Sequence, residues 1–411
     1  MHGLEAHSVT LRSRHTFATA LLGEGTRALY QEYGVVGRRD ALPAIEHTFI
    51  MSMLADRIRA ICRENGVLPQ RDALPGIEPL WHSFQVYMTY TLAALNSELA
   101  DRFLIRSSLY QIASLMFTGF HIPDLPWRSH IRGFFALVRH HGGFQAVVDS
   151  IPQAIFLFHS VAIAVTMANA TSPATDQIAQ AKEWTETQYS QAYDYSLSDI
   201  LPCPTALFLC VGRITNLRVA VANGVSPAAL LVSAERTSEK LNLFDPACWT
   251  KAFSTVPEPR KVRTVYDTAF KLATILYALL SLPTELSQPF AKMGQKPNPE
   301  RKEKSKQQQV SEVNQARLHY RKLLFDIVVL GKRRASLVHG CLCWPLAVLG
   351  IAYHDGPAET KAAILTVADE LRRVPVGSSG PSNILFTLSR FWASGKTRWD
   401  ECFDTPVHVL L

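Results

Sequence analysis

Apolar residues recur along this chain at intervals of three to five, and almost nowhere in sustained alternation with polar ones. That spacing places them on one face of a helix with 3.6 residues per turn, whereas a half-buried strand requires a period of two. Ile45, Phe49, Met53, Ile58 and Ile61 form one such stripe, after Pro43 and before Gly66. Leu80, Phe84, Met88, Thr91 and Leu95 form a second, and Ile105, Leu109, Ile112 and Met116 a third. Further on, Leu207, Cys210, Ile214, Leu217 and Val221 repeat the pattern, as do Val262, Val265, Ala269, Leu272, Leu276 and Leu279. Ser226 and Pro227 mark a helix start, a capping residue followed by a first-turn proline, ahead of Leu230, Ala234, Thr237 and Leu241. Pro357 opens a helix carrying Ile364, Ala368 and Leu371; Pro381 opens one carrying Leu385, Leu388 and Trp392 and closed by Gly395. The β-rich piece Ile327–Leu330 fits better inside a buried helix than as a strand. The predicted fold class is all-α, an irregular multi-helix domain of packed antiparallel helices.

Breaks in the pattern divide the chain. Residues 1–40 read as an N-terminal extension and 41–282 as an α-helical regulatory domain. Residues 283–309 combine Pro283, Pro289, Pro297 and Pro299 with a basic run and Gln307–Gln309, so they are expected to form a flexible, disordered surface loop. Residues 310–411 then supply C-terminal helices packing on the same domain. A weaker polar break covers 171–205, and a short loop runs from Val374 to Gly380. One octapeptide nearly repeats, Arg39–Glu46 against Arg71–Glu78, but its surroundings do not, which excludes a solenoid.

Composition sharpens this reading. Hydrophobic residues are 47% of the 411 and charged residues only 19%, below the roughly 25% of ordinary soluble domains, so much of the surface is expected to be buried. The net charge of +7 is concentrated in residues 292–306, where Lys292, Lys296, Arg301, Lys302, Lys304 and Lys306 face only Glu300 and Glu303. A globally basic DNA-wrapping surface is not indicated, and Lys296, Arg301, Lys302, Lys304 and Lys306 are candidates for a nuclear import signal. The seven cysteines are scattered, with Cys62, Cys210 and Cys343 in apolar segments, which suits reduced buried thiols better than a disulfide framework. The run Ala154–Ala168 falls short of the roughly 20 apolar residues of a membrane span and is broken by His159, Ser160 and Thr166. It reads as a core helix, and no membrane partner is expected.

Chemistry is sparse. There is no Gly-x-Ser-x-Gly and no His-Glu-x-x-His. Gly395-Lys396-Thr397 mimics the end of a phosphate-binding loop, but Arg390 stands where the earlier glycine is needed, so a helix-terminal turn is expected. His339, Cys341 and Cys343 lack a fourth ligand at zinc spacing, and His140 and His141 read as helix-terminal residues. No catalytic, cofactor-binding or metal-binding residue is expected.

Three segments carry a resemblance. The first is Trp127-Arg128-Ser129-His130-Ile131-Arg132-Gly133, continuing to Gly142-Gly143. The second is Trp344-Pro345-Leu346 with Gly350, and the third runs from Leu385 to Phe403 with Trp392 and Trp399. In this order they resemble the fungal-specific transcription factor domain that follows the zinc cluster in many fungal regulators. The resemblance covers roughly residues 80 to 403 and makes Trp127, His130, Gly133, Gly142, Gly143, Trp344, Pro345, Gly350, Trp392 and Trp399 its structural signature. It departs from the family in one respect: the six-cysteine pattern opening Cys-x2-Cys-x6-Cys is absent, so no DNA-contacting residue carries over.

What the resemblance implies is a nuclear transcriptional regulator of metabolic genes, without catalysis or cofactor. It would act through protein partners of the transcription machinery or a DNA-bound factor, as a homo- or heterodimer where it dimerises, unless a zinc-cluster exon precedes these residues. The alternative is an all-α enzyme or small-molecule-binding protein of fungal metabolism, its cavity lined by the apolar stretches 151–168 and 262–282.

Overall fold

A computed structural model describes residues 42–99, 105–122, 125–194, 204–248, 257–293, 305–331, 342–373 and 379–409, with the backbone alone for 42–44 and 257–263. Among the described residues every regular element is a helix and none is a strand, so the all-α expectation holds. The expected extension, residues 1–40, lies outside them. The chain divides into two compact units, one built from residues up to Val161 with 182–184 and 375–379, the other from the remainder.

In the first unit, α1 (Leu42–Glu64) and α2 (Glu78–Glu98) pack along each other, and α3 (Ile105–His121) packs on α1 and on α4 (Trp127–His140). A short α5 (Phe144–Ser150) and the first part of α6 (Ile155–Ala170) complete it. The buried stripe of α1 differs from the predicted one. Ile45, Met51, Ala55, Ile58 and Cys62 are buried, whereas Met53 is 56% exposed. The repeated octapeptide starts its two helices differently: α1 begins at Leu42, but in the second copy Gly76 turns at φ +81° and α2 begins only at Glu78. Ile45 and Ile77 are nevertheless both buried. The turn between α1 and α2 opens at Asn65-Gly66, where Gly66 takes a positive φ and Val67 N–H reaches back to Cys62 O.

The second unit centres on α10 (Pro257–Ser281). Around it lie α8 (Thr205–Ala222), α11 (Thr284–Ala291), α12 (Lys306–Phe325) and α13 (Cys343–Ala352). Outside these, α9 (Pro227–Leu243) packs on α8 and α11, while α14 (Ala358–Arg373) and α15 (Gly380–Ala393) pack on each other and on α13. The single turn α16 (Trp399–Cys402) follows. All of α13 from Cys343 to Ala352 is buried, as its wholly apolar sequence requires.

Several expectations are corrected. Residues 283–309 are not one loop: Pro283 sits at the N-cap of α11, whose Leu286, Ser287 and Phe290 are fully buried. Ser305 caps α12 by a reciprocal pair with Gln308, and only 294–304 of this stretch lie outside the described residues. Within the polar break at 171–205, Thr185 and Gln188 cap another helix, α7 (Glu186–Tyr193). Ser226 occupies the N-cap of α9 as expected but makes no side-chain cap bond; Pro227 alone presets the first turn. Ile327–Leu330 does continue a helix, as a π-turn over Asp326–Leu330. Pro152–Ala170 and Thr205–Ala222 are apolar and long enough to cross a membrane by composition; the first has 83% of its apolar window buried within the fold, as a core helix does.

Candidate functional site

The signature residues fall into two packing centres, one in each unit. In the first unit, Trp127 opens α4 and rests edge-on against Phe120, ring centroids 5.5 Å apart. It lies so close to Gly119 of α3 that a Cβ there would sit 2.6 Å from Trp127 Cβ. His130, half-buried one turn on, has its imidazole pushed below the usual pKa by burial, so it is a neutral ring at physiological pH. Ile131, Phe134, Phe135 and Val138 form the buried stripe of α4, with Trp127 at its start only partly buried. Gly133 has no such reason to be small: nothing lies within 4 Å of a Cβ built on it.

The Gly142-Gly143 pair ends α4. Both residues take φ +91°, and Gly143 N–H donates to Val138 O at 2.9 Å. The reversal brings Phe144 back toward Phe135 and Phe158 around Trp184, a residue the sequence pattern does not single out. Trp184 lies 4.7 Å from the Phe135 ring, 5.2 Å from Phe144 and stacked 5.2 Å from Phe158. Centroid separations of this size are those of favourable aromatic pairs. His140 and His141 lie at the C-terminal end of α4, edge to face, as expected.

In the second unit, Trp344 is buried in the first turn of α13, stacked on Phe270 at 6.0 Å and edge-on to Tyr277 at 5.9 Å. Pro345, in the same turn, fits there because first-turn N–H groups need no intrahelical acceptor. Gly350 lets α15 come close: a Cβ there would meet Leu388 Cδ1 at 2.3 Å. Trp392 lies at the rim of this contact and donates its indole N–H to Gly350 O at 3.0 Å, while Phe391 beside it fills the core. Trp399 is buried, 4.6 Å from Tyr277, and donates to Ala170 O at 2.8 Å.

Next to Trp399 stands a residue that sequence reasoning passes over. Arg218, on α8, is buried; both of its Nη atoms are engaged, while its Nε has no partner. It donates to Asp400 Oδ1 at 2.6 Å and to the carbonyls of Asn169 and Ser172, each at 2.9 Å. Its guanidinium also lies 5.9 Å from the centre of the Tyr277 ring. A cation at the carbonyl end of α6 is favoured by the helix dipole, and the bonds replace the water lost on burial. Around it, Asn169 Oδ1 accepts from Ile178 N–H at 2.7 Å, and Gln177 donates to Pro173 O at 2.7 Å. Asp400 Oδ1 also accepts from Ala174 N–H at 3.3 Å, and Val407 N–H donates to Thr171 O at 3.1 Å. Helix α8, the end of α6 and the C-terminal residues 399–409 are thereby tied together. No local pattern announces this: Arg218 is flanked by Leu217 and Val219, and its carboxylate partner lies 182 positions away.

Burial pushes the Cys210 thiol up to about 11 and the Cys402 thiol up to about 12, so both stay protonated. Cys62 and Cys343 are buried and form no disulfide. His339 and Cys341 lie outside the described residues, as do Lys296, Arg301, Lys302 and Lys304. Lys306 opens α12 with its side chain exposed, 3.9 Å from Glu285. Gly395 takes φ +69° after α15 and Lys396 turns to Asp404, the helix-terminal turn expected there. Among the described residues no group of three or more His, Cys, Asp and Glu could hold a metal ion. What the two centres do is position helices: each signature tryptophan joins one helix to another through ring contacts or its indole N–H.

A helical protein organised around ordered tryptophan-glycine contacts is the class these features define. The chain belongs to the fungal specific transcription factor domain family, whose model matches residues 75–403. It is 27% identical over 292 residues to the phomenoic acid biosynthesis cluster-specific transcriptional regulator of Leptosphaeria maculans, covering 69% of this chain and 50% of that protein. The chain therefore spans about half the length of that relative. No solved structure matches it.

Proposed function

We propose that the chain is the effector region of a fungal transcriptional regulator, acting in the nucleus through protein partners and without catalysis. The family match across residues 75–403 carries this reading, because it takes in both packing centres. The Leptosphaeria relative is named as the regulator of one biosynthesis cluster, which supports metabolic genes as the targets here. The 411 residues contain no six-cysteine zinc cluster, so the contact with DNA is assigned to a DNA-bound partner or to a further segment of the protein. Nuclear entry is assigned to Lys296, Arg301, Lys302, Lys304 and Lys306.

Deleting the gene and profiling transcripts, with a fluorescent fusion of the chain imaged in parallel, tests this. The expected result is a coordinated change in a small set of metabolic transcripts and a nuclear fusion that becomes cytoplasmic when the five basic residues are changed to alanine. An unchanged transcript profile, with the fusion confined to the cytoplasm or mitochondria, would overturn it.

A further inference from the structure

The 411 residues contain three serine- or threonine-proline pairs: Ser172-Pro173, Ser226-Pro227 and Thr405-Pro406. The structure separates them. Ser172 is fully buried and its hydroxyl donates to Ala168 O at 2.6 Å. Ser226 is exposed, but Pro227 and the residues after it are already wound into α9, a shape that does not fit the extended groove of a kinase. Thr405 is exposed and lies in residues 403–409, which have no regular structure. Its proline further biases it toward an extended backbone.

Two cations meet beside it. Asp404 takes Arg390 of α15 at 2.7 Å through Oδ1 and Lys396 at 3.5 Å through Oδ2. All three side chains are about half exposed (57%, 45% and 42% for Arg390, Lys396 and Asp404). Two positive charges thus share one carboxylate, one residue from a free hydroxyl. Immediately beyond, the segment is anchored: Val407 N–H donates to Thr171 O at 3.1 Å, Asn383 donates to His408 O at 3.0 Å, and Val409 is buried.

We propose that Thr405 is a phosphorylation site for a proline-directed serine/threonine kinase, and that Arg390 and Lys396 hold the phosphate. The γ-phosphoryl group of ATP passes to Thr405 Oγ1. The bond to the β-phosphate breaks and ADP leaves, while the hydroxyl proton goes to the kinase's base. The product adds about −1.5 to −2 charge and three strong acceptors where one carboxylate had faced two cations. Arg390 matches a phosphate bidentately, so the modified segment gains a further tie to α15 just before its anchor on Thr171. The modification therefore tightens residues 404–409 against the elements that Arg218 and Trp399 already bind. This rests on the proposed regulatory role only for its purpose; the site itself stands on the geometry.

The test uses the full chain with ATP and a purified cyclin-dependent-class kinase. It is read by peptide mass mapping and by hydrogen exchange at the Val407 amide before and after phosphorylation. Phosphate on Thr405, lost in Thr405→Ala and kept in Ser226→Ala, is expected. Val407 exchange is expected to slow about threefold or more. In Arg390→Ala/Lys396→Ala the phosphate should still be added but the slowing should disappear. Phosphate found on Ser226 and not on Thr405 would overturn the site. Val407 exchange that is unchanged or faster after stoichiometric modification of Thr405 would overturn the clamp.

Discussion

Trp127 Cβ occupies the space that a side chain on Gly119 would need, with 2.6 Å between it and a Cβ built there and 3.2 Å to the Trp127 backbone Cα. The first residue of α4 therefore leaves no room for a side chain at Gly119 of α3. Because the obstacle includes main chain, relief requires one helix to move. Gly119→Ala is predicted to lower stability by about 2–3 kcal/mol. Gly133→Ala makes the matched comparison. Nothing lies within 4 Å of its Cβ, and alanine is the better helix former, so a gain of about 0.5–1 kcal/mol is expected. Chemical denaturation of the two variants checks both signs.

Arg218 is the residue whose loss should cost most in the second unit. Arg218→Ala leaves the carbonyls of Asn169 and Ser172 without that donor and opens a cavity beside Tyr277. A loss of about 3–5 kcal/mol is predicted, the scale for breaking a buried charge network. Asp400→Asn should cost far less, about 1 kcal/mol or under, because the Asp400 side chain is 46% exposed and water replaces part of the bond. Denaturant midpoints of equal size for the two variants would contradict this account of the hub.

The indole N–H groups offer a cleaner comparison than truncation. Trp399→Phe keeps a ring against Tyr277 but removes the bond to Ala170 O, which lies in the core. Trp392→Phe removes the bond to Gly350 O at the half-buried rim, where water can substitute. Losses of about 2 kcal/mol and about 1 kcal/mol or less, respectively, are expected from thermal unfolding.

Glu98 gives a pH signature. It is 6% exposed, its carboxylate accepts from Gln111 Nε2 at 2.6 Å, and the Oε1 atoms of both residues have no hydrogen-bond partner. Burial raises its pKa above the ordinary 4.5. The folded state then holds the proton to higher pH than the unfolded chain, so this group's contribution to stability falls as pH rises from about 4.5 through the raised value. In Glu98→Gln the new amide can donate to Gln111 Oε1. That variant should be as stable as the parent or up to about 1 kcal/mol more stable at neutral pH, with the advantage shrinking toward pH 4. Urea titrations across pH 4–8 read it, and an advantage that instead grows toward acid would refute the assignment.

The helices are legible in the sequence because period and punctuation agree over most of them. Glycine after α4 and α15 stops each helix as expected, with positive φ at Gly142 and Gly395, and Gly224 does the same after α8. The ordered tryptophan segments lead to the family. Where the pattern misleads, burial outweighs local propensity. Pro283 and Pro289 read as breakers, yet α11 starts directly after Pro283 and continues through Pro289 because Leu286 and Phe290 fill the core. The spacing points Met53 inward, but the inward face of α1 runs through Met51 and Ala55. A stripe with apolar residues on both candidate faces does not decide its own register.

Arg218 and Trp184 escape for a different reason. Their partners are remote in sequence: Arg218 meets Asp400, and Trp184 meets Phe135, Phe144 and Phe158. A polar residue in an apolar helix is ambiguous until its partner is in place, and one chain alone carries no sign of that partner.

A tethering assay tests the effector role of the chain: the intact chain is fused to an unrelated DNA-binding domain, and expression is measured from a reporter bearing that domain's site in a fungal host. Reporter expression is expected to shift several-fold, up or down, and Arg218→Ala is expected to weaken that shift by destabilising the second unit. A folded, nuclear fusion that leaves the reporter at the level of the DNA-binding domain alone would contradict it.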